Sequence, residues 1–89
     1  MRTSTIDKSH MSGGGYAFAT ALGATIRERR RGLGLSQAEL GSPLSRAYVS
    51  RVEHGHLSPS LGSLLLIAQR LGMPAWELLR LVNNRMTVR

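Results

Sequence analysis

Residues 35–55 read LSQAELGSPLSRAYVSRVEHG, and two short helices joined by a tight connection can be read in them directly. Ser36 opens Ser-Gln-Ala-Glu, in which the serine hydroxyl can accept the third helical amide while Glu39 reaches back to the serine's own N–H. A helix therefore starts at Gln37. It must be short, because Gly41, Ser42 and Pro43 follow Leu40 and proline disfavours helical geometry in the residue before it. Ser45 is the next cap. Val49 and Val52 lie three apart on one face, and Gly55 stands where a left-handed residue closes a helix, so the spacing predicts a helix over 46–54.

The flanks extend the same pattern. Phe18, Leu22, Ile26 and Leu33 recur at helical intervals and predict a first helix over 17–31, broken by Gly32 and Gly34. Downstream, Ser60 caps a strongly apolar fourth helix, with Leu61, Leu64, Leu65, Ala68 and Leu71 expected to face inward and Gly72 to end it. Pro74 suits the first turn of a fifth helix, over 75–83. With no strand pattern and no internal repeat, the expected fold class is all-α, five short crossing helices in one domain over residues 16–83, followed by a tail over 84–89. Residues 1–15, MRTSTIDKSHMSGGG, hold few apolar side chains and are expected to form a disordered tail. His10-Met11 also matches what a common cloning site encodes, which leaves residues 1–10 open between a vector leader and a native start.

Composition narrows the partner. Eighty-nine residues and 9.7 kDa fit one small domain. Twelve bases, all but one of them arginine, stand against five acids, giving a formal net charge of +7 and a first expectation of a polyanionic partner. Without cysteine there are no disulfides, thiolate metal sites or cysteine nucleophiles. The longest unbroken apolar run, residues 64–68, is too short to span a bilayer, and no secretory signal follows the N-terminus, so a soluble cytoplasmic chain with no membrane partner is expected.

The residues from Leu22 to Leu79 carry several spaced elements together: Ile26 with Arg30, LSQAEL at 35–40, SRAYVSRVEHG at 45–55, PSL at 59–61, RLG at 70–72 and ELL at 77–79. This segment resembles the helix-turn-helix family of Cro, lambda repressor and the xenobiotic-response-element-type bacterial regulators. The resemblance implies a five-helix lambda-repressor-like domain whose third helix enters the major groove of double-stranded DNA. One departure falls inside the motif: Gln37 to Ser45 is about two residues shorter than the family's spacing, so the Gly-Ser-Pro-Leu segment at 41–44 must make the turn.

A helix can lie in a major groove only if its exposed face is small or hydrogen-bonding, and Arg46, Ala47, Ser50 and Arg51 supply such a face while Val49 and Val52 point inward. These four are the candidate base-reading residues, Arg46 and Arg51 foremost because a guanidinium can pair bidentately with guanine. The alternative is a solvated charged face. The resemblance implies contacts to the DNA backbone from Ser36, Gln37, Tyr48, His54, His56 and Ser58, with Ser36 a cap first and a contact second. His54 and His56 form a His-x-His pair, yet with Glu53 as the one carboxylate nearby no metal is expected, and no cofactor either. Glu53 invites a catalytic reading; the resemblance instead implies an ion pair with Arg30 that pins helix one to helix three. In the run 27–31, most charges are expected to be solvated, with phosphate contact by Arg27 or Arg31 as the sharper alternative.

Leu66 and Trp76 stand where the family usually shows polar residues, and with Leu79 and Val82 they form a candidate homodimer interface; the alternative is that Trp76 caps the monomer core. The leading functional expectation is a sequence-specific DNA-binding transcriptional regulator, a repressor binding a palindromic operator as a dimer. The competing class is the antitoxin of a toxin–antitoxin pair, which also binds DNA. An enzyme is not expected, since four acids and two histidines of the folded part form no acid–base pair or nucleophile constellation, and RNA binding lacks an aromatic stacking platform.

Overall fold

A computed structural model describes residues 16–87, and five helices follow one another along them: α1 Tyr16–Gly32, α2 Gln37–Gly41, α3 Arg46–Glu53, α4 Leu61–Arg70 and α5 Ala75–Thr87. The residues of the expected N-terminal tail, 1–15, lie outside the described part. Three helices start on a serine whose hydroxyl accepts a backbone amide: Ser36 from Glu39, Ser45 from Tyr48 and Ser60 from Ser63. Their ends are equally local. At α3, Gly55 takes φ 75°, and the amides of Gly55 and His56 turn back to the carbonyls of Val52 and Arg51 at 3.0 and 2.9 Å. This closure requires a left-handed residue, which glycine adopts without a Cβ clash. The same pair of bonds closes α1 and α4.

The core is one cluster that draws on every helix. Leu22 and Ile26 of α1, Leu40 of α2, Val49 and Val52 of α3, Ile67 of α4, and Leu78 and Val82 of α5 are all essentially fully buried. Each contributes about 1.5–3 kcal/mol by leaving water. α1 packs against α3 and α5, α2 against α3 and α4, and α4 against α5. Two glycines set how closely helices approach. A Cβ at Gly23 would collide with the carbonyl oxygens of Val52 and Glu53, so α1 and the end of α3 touch backbone to backbone; a Cβ at Gly41 would strike the Val49 side chain.

Three expectations need correction. Leu61 and Leu65 are 71 % and 51 % exposed rather than inward, and Ile67 takes the inward position, because the buried stripe of α4 runs through Leu64, Ile67 and Ala68. α5 does not stop at 83. It runs to Thr87, so residues 84–87 of the expected tail are helical, tied to α1 by Arg85, whose Nε donates to Thr25 Oγ1 at 3.0 Å and whose Nη2 donates to Glu28. Val82, expected on a dimer surface, is wholly inside the monomer core.

Arg30 and Glu53 are both buried and form a forked pair: Arg30 Nε donates to Glu53 Oε2 at 2.6 Å and Nη2 to Oε1 at 3.1 Å. The hydrogen bonds to Glu53 raise the pKa of Arg30 further above its ordinary value against the opposing effect of burial. Removing the carboxylate strands a cation beside the core, so Glu53→Ala is expected to destabilise the domain by about 3–5 kcal/mol, read by urea unfolding. A variant with the parent's melting temperature and lost DNA binding would overturn this assignment.

Glu39 and Ser36 complete a reciprocal cap, with the Ser36 amide donating to Glu39 Oε1 at 2.8 Å and the Glu39 amide donating to Ser36 Oγ at 3.0 Å. The backbone and hydroxyl hydrogen bonds of Ser36 hold the Glu39 carboxyl below its ordinary value of 4.5. A depressed folded pKa gives stability that is present above the unfolded value and lost as pH falls through the folded one. The melting-temperature gap between parent and Glu39→Gln is therefore expected to be widest near neutrality and to close on acidification through the carboxylate range; a gap constant with pH would show that the charge contributes nothing.

Candidate nucleic-acid interface

α3 is eight residues long, about 12 Å at 1.5 Å per residue, and its two faces differ in chemistry. Val49, Val52 and Glu53 are buried. Arg46, Ala47 and Arg51 are exposed and Ser50 is half-buried; the spacing of these four residues places them on one helical stripe. The stripe carries two guanidinium forks, one methyl and one hydroxyl, all groups that can meet base edges. Tyr48 is half-buried and packs against the core.

The other candidate backbone contacts surround this helix. Ser36 lies at the exposed start of α2, where its hydroxyl is already an acceptor in the cap and retains its proton to donate. Gln37 is half-buried and donates from Nε2 to Glu53 Oε1 at 3.0 Å. Its side chain therefore braces α2 against α3, and its main-chain amide, at the first helical position, has no intrahelical partner. At the far end of α3, His54 and His56 are exposed and their rings stack with centroids 5.7 Å apart. His54 Nδ1 lies 2.8 Å from the Ser50 carbonyl oxygen, which can only accept, so Nδ1 is the donor there. Ser58 is exposed in the loop that follows. Beside His54, a shallow cleft is lined by Thr20, Ala24, Arg27, Glu28, Arg31 and Glu53, which brings two further arginines and one further acid of α1 next to the α3 C-terminus.

Two groups on this frame are not readable from local pattern. Arg70, the last residue of α4, donates from Nη1 to the Glu39 carbonyl at 3.0 Å and from Nη2 to the Ser42 carbonyl at 2.6 Å. Arg85 bridges α5 to α1 as described. Both contacts join residues far apart in sequence, so hydrophobic periodicity and capping rules carry no sign of them. The connection between α2 and α3 is itself a compact turn: the Leu44 amide donates to the Gly41 carbonyl, the Ser42 amide donates to the Ala38 carbonyl at 3.2 Å, and the Ser42–Pro43 peptide bond is cis.

Of the candidate dimer residues, Trp76 is 66 % and Leu79 37 % exposed, and Leu66 is half-buried. Among the described residues no group of three His, Cys, Asp or Glu side chains lies together as a metal site would need, and no helix is long and apolar enough to cross a membrane.

This architecture has known counterparts. A helix-turn-helix family model matches residues 26–75, which run from the middle of α1 to the start of α5. The clp gene regulator ClgR from Corynebacterium glutamicum superposes with a TM-score of 0.73 at 30 % identity, covering 78 % of this chain and 76 % of that one. A second crystal structure of ClgR gives 0.72 at 28 % identity over 81 % and 96 % of the two chains. The restriction-modification controller protein C.AhdI from Aeromonas hydrophila gives 0.66 at 40 % identity over 71 % and 94 %. No curated protein matches the sequence. With the matched segment spanning more than half of its length, the chain belongs to the Cro and lambda-repressor-like helix-turn-helix family of DNA-binding transcriptional regulators.

Proposed function

We propose that this regulator is a sequence-specific repressor that inserts α3 into the major groove and binds a palindromic operator as a homodimer, occluding the promoter beneath it. One observation carries the reading: Arg46, Ala47, Ser50 and Arg51 share the outward stripe of a helix whose opposite face is locked by Val49, Val52 and Glu53. A base-reading face must be both rigid and unengaged. Arg46 and Arg51 hold no ion pair with any described residue, and each can make two parallel hydrogen bonds to one guanine. Around them Ser36, the Gln37 amide, Tyr48, His54, His56 and Ser58 are assigned to the sugar–phosphate backbone, which fixes register without reading sequence.

The dimer reading draws on α5. Trp76 is two-thirds exposed with Leu79 one turn on, and Leu65 is half exposed on α4; an exposed tryptophan is the kind of anchor that protein interfaces favour. Two copies joined there would present their α3 helices to half-sites about 34 Å apart. The similarity to ClgR and C.AhdI, described as a gene regulator and a controller protein, supports the regulatory role.

Selection of bound duplexes from random DNA is expected to return a two-fold symmetric sequence. Arg46→Ala and Arg51→Ala are each expected to relax preference at one position per half-site by about 1–3 kcal/mol. Affinity that is indifferent to sequence and falls steeply with salt would reduce the protein to a nonspecific binder. In sedimentation, the parent is expected as a dimer and Trp76→Ala as a folded monomer; a parent that sediments as a monomer at operator-binding concentrations, free and on DNA, would defeat the dimer.

A further inference from the structure

We infer that Arg70 is the positioning residue for the reading helix: its guanidinium clamps the α2–α3 turn to α4 and so sets the angle at which α3 presents Arg46 and Ala47. The inference rests on the reading of α3 as the DNA-contacting helix. α2 is only five residues long, so most of its carbonyls have no intrahelical partner. Arg70 supplies donors to two carbonyls that bracket the turn, Glu39 O inside α2 at 3.0 Å and Ser42 O at its C-cap at 2.6 Å. A single planar fork holding both fixes their separation, which a point charge does not. The fork is itself anchored. α4 is seated by Leu64, Ile67 and Ala68, with Leu71 wholly buried immediately after Arg70.

One arginine from another helix thus holds the end of α3, and a second holds the turn that leads into its start. Arg30 grips Glu53 at its C-terminus, and Arg70 grips the turn that leads through Leu44 and Ser45 into Arg46. The lever is short but sufficient. A rotation of about 10° about the Glu53 end carries the start of a helix about 12 Å long through roughly 2 Å. Hydrogen bonds to bases tolerate only a few tenths of an ångström, so such a tilt removes base readout and leaves attraction to phosphate largely intact.

The competing role for an exposed arginine in a basic regulator is direct phosphate contact, and three measurements on the full chain separate the two. Hydrogen exchange on the free protein is expected to quicken by about tenfold at the Ser42 and Leu44 amides in Arg70→Ala, with the α1 amides unchanged. Affinity of Arg70→Ala for the selected operator is expected to fall about tenfold with little change for random duplex, and the slope of log affinity against log salt is expected to stay at the parent value. Arg70→Lys keeps the charge and loses the fork, and it is expected to restore the turn's protection and the operator preference only partly. A salt slope smaller by about 0.9 with operator preference retained would make Arg70 a phosphate contact and overturn the inference. Turn exchange and operator preference both at parent values in Arg70→Ala, or both fully restored by Arg70→Lys, would overturn it as well. A parent that selects no preferred duplex defeats the reading helix instead, and the clamp is then decided by the exchange result alone.

Discussion

The Glu53 carboxylate is the point at which three helices are tied together. Its Oε2 accepts from Arg30 of α1, and its Oε1 accepts from both Arg30 and Gln37 of α2, while the carboxylate itself belongs to the last turn of α3. Arg30 spends its remaining fork nitrogen on the Leu35 carbonyl at 2.8 Å, in the link between α1 and α2. No buried side-chain polar atom among the described residues is left without a partner. Full satisfaction is the condition under which a buried charge is tolerable, because desolvating two ions costs about as much as their attraction returns. Direction is what the arrangement supplies. An apolar pair of equal volume could fill the space, yet it would not dictate how α2 and α3 lie on α1, and the outward stripe of α3 takes its orientation from that placement.

That tie depends in turn on a backbone contact. Because Gly23 has no side chain, α1 comes up against the Val52 and Glu53 carbonyls, which places Arg30, two turns along α1, within reach of Glu53. Glycine at a helix interior costs about 0.5–1 kcal/mol in propensity. The cost is offset by the close approach, and the pair at Gly41 and Val49 repeats the logic between α2 and α3. A domain this small has little apolar area to spend, so its geometry is set by a few backbone contacts and polar ties around one compact core.

How much of this was legible in the sequence follows from the range of each interaction. Ser36, Ser45 and Ser60 cap as read, and the truncation of α2 follows from Gly-Ser-Pro, because caps and prolines act within four residues. The phase of α4 was not legible: Leu61, Leu64, Leu65, Leu66 and Ile67 offer no polar face to orient the stripe, so only packing against α2 and α5 decides that Ile67 turns in and Leu65 out. The end of α5 was hidden for a different reason. Its last turn is held by Arg85 on Thr25 and Glu28, some sixty residues earlier in the chain. In the candidate site the outward stripe of α3 was legible from two valines three apart. The services of Gln37 to Glu53 and of Arg70 to the turn were not, since both are side chains acting on a different helix.

The same sorting changes the meaning of the net charge. Of the arginines in the described residues, Arg30, Arg80 and Arg85 are paired with Glu53, Glu77 and Glu28, and Arg70 is committed to two carbonyls. The remaining acid, Glu39, is held in the α2 cap. Arg29 faces away, into a groove with Leu33, Leu81 and Arg85 between α1 and α5. What is left is Arg27 and Arg31, one turn apart beside His54, and Arg46 and Arg51 on α3. Among the described residues, the arginines that neither pair with a carboxylate nor bond to a carbonyl thus lie beside α3, with Arg29 alone on the other side. A field of that shape draws a polyanion toward one face, and it does so over about a Debye length, roughly 8–10 Å, before any base is touched. The acids are placed accordingly: Glu53, Glu77 and Glu28 each pair with an arginine, and Glu39 completes the α2 cap.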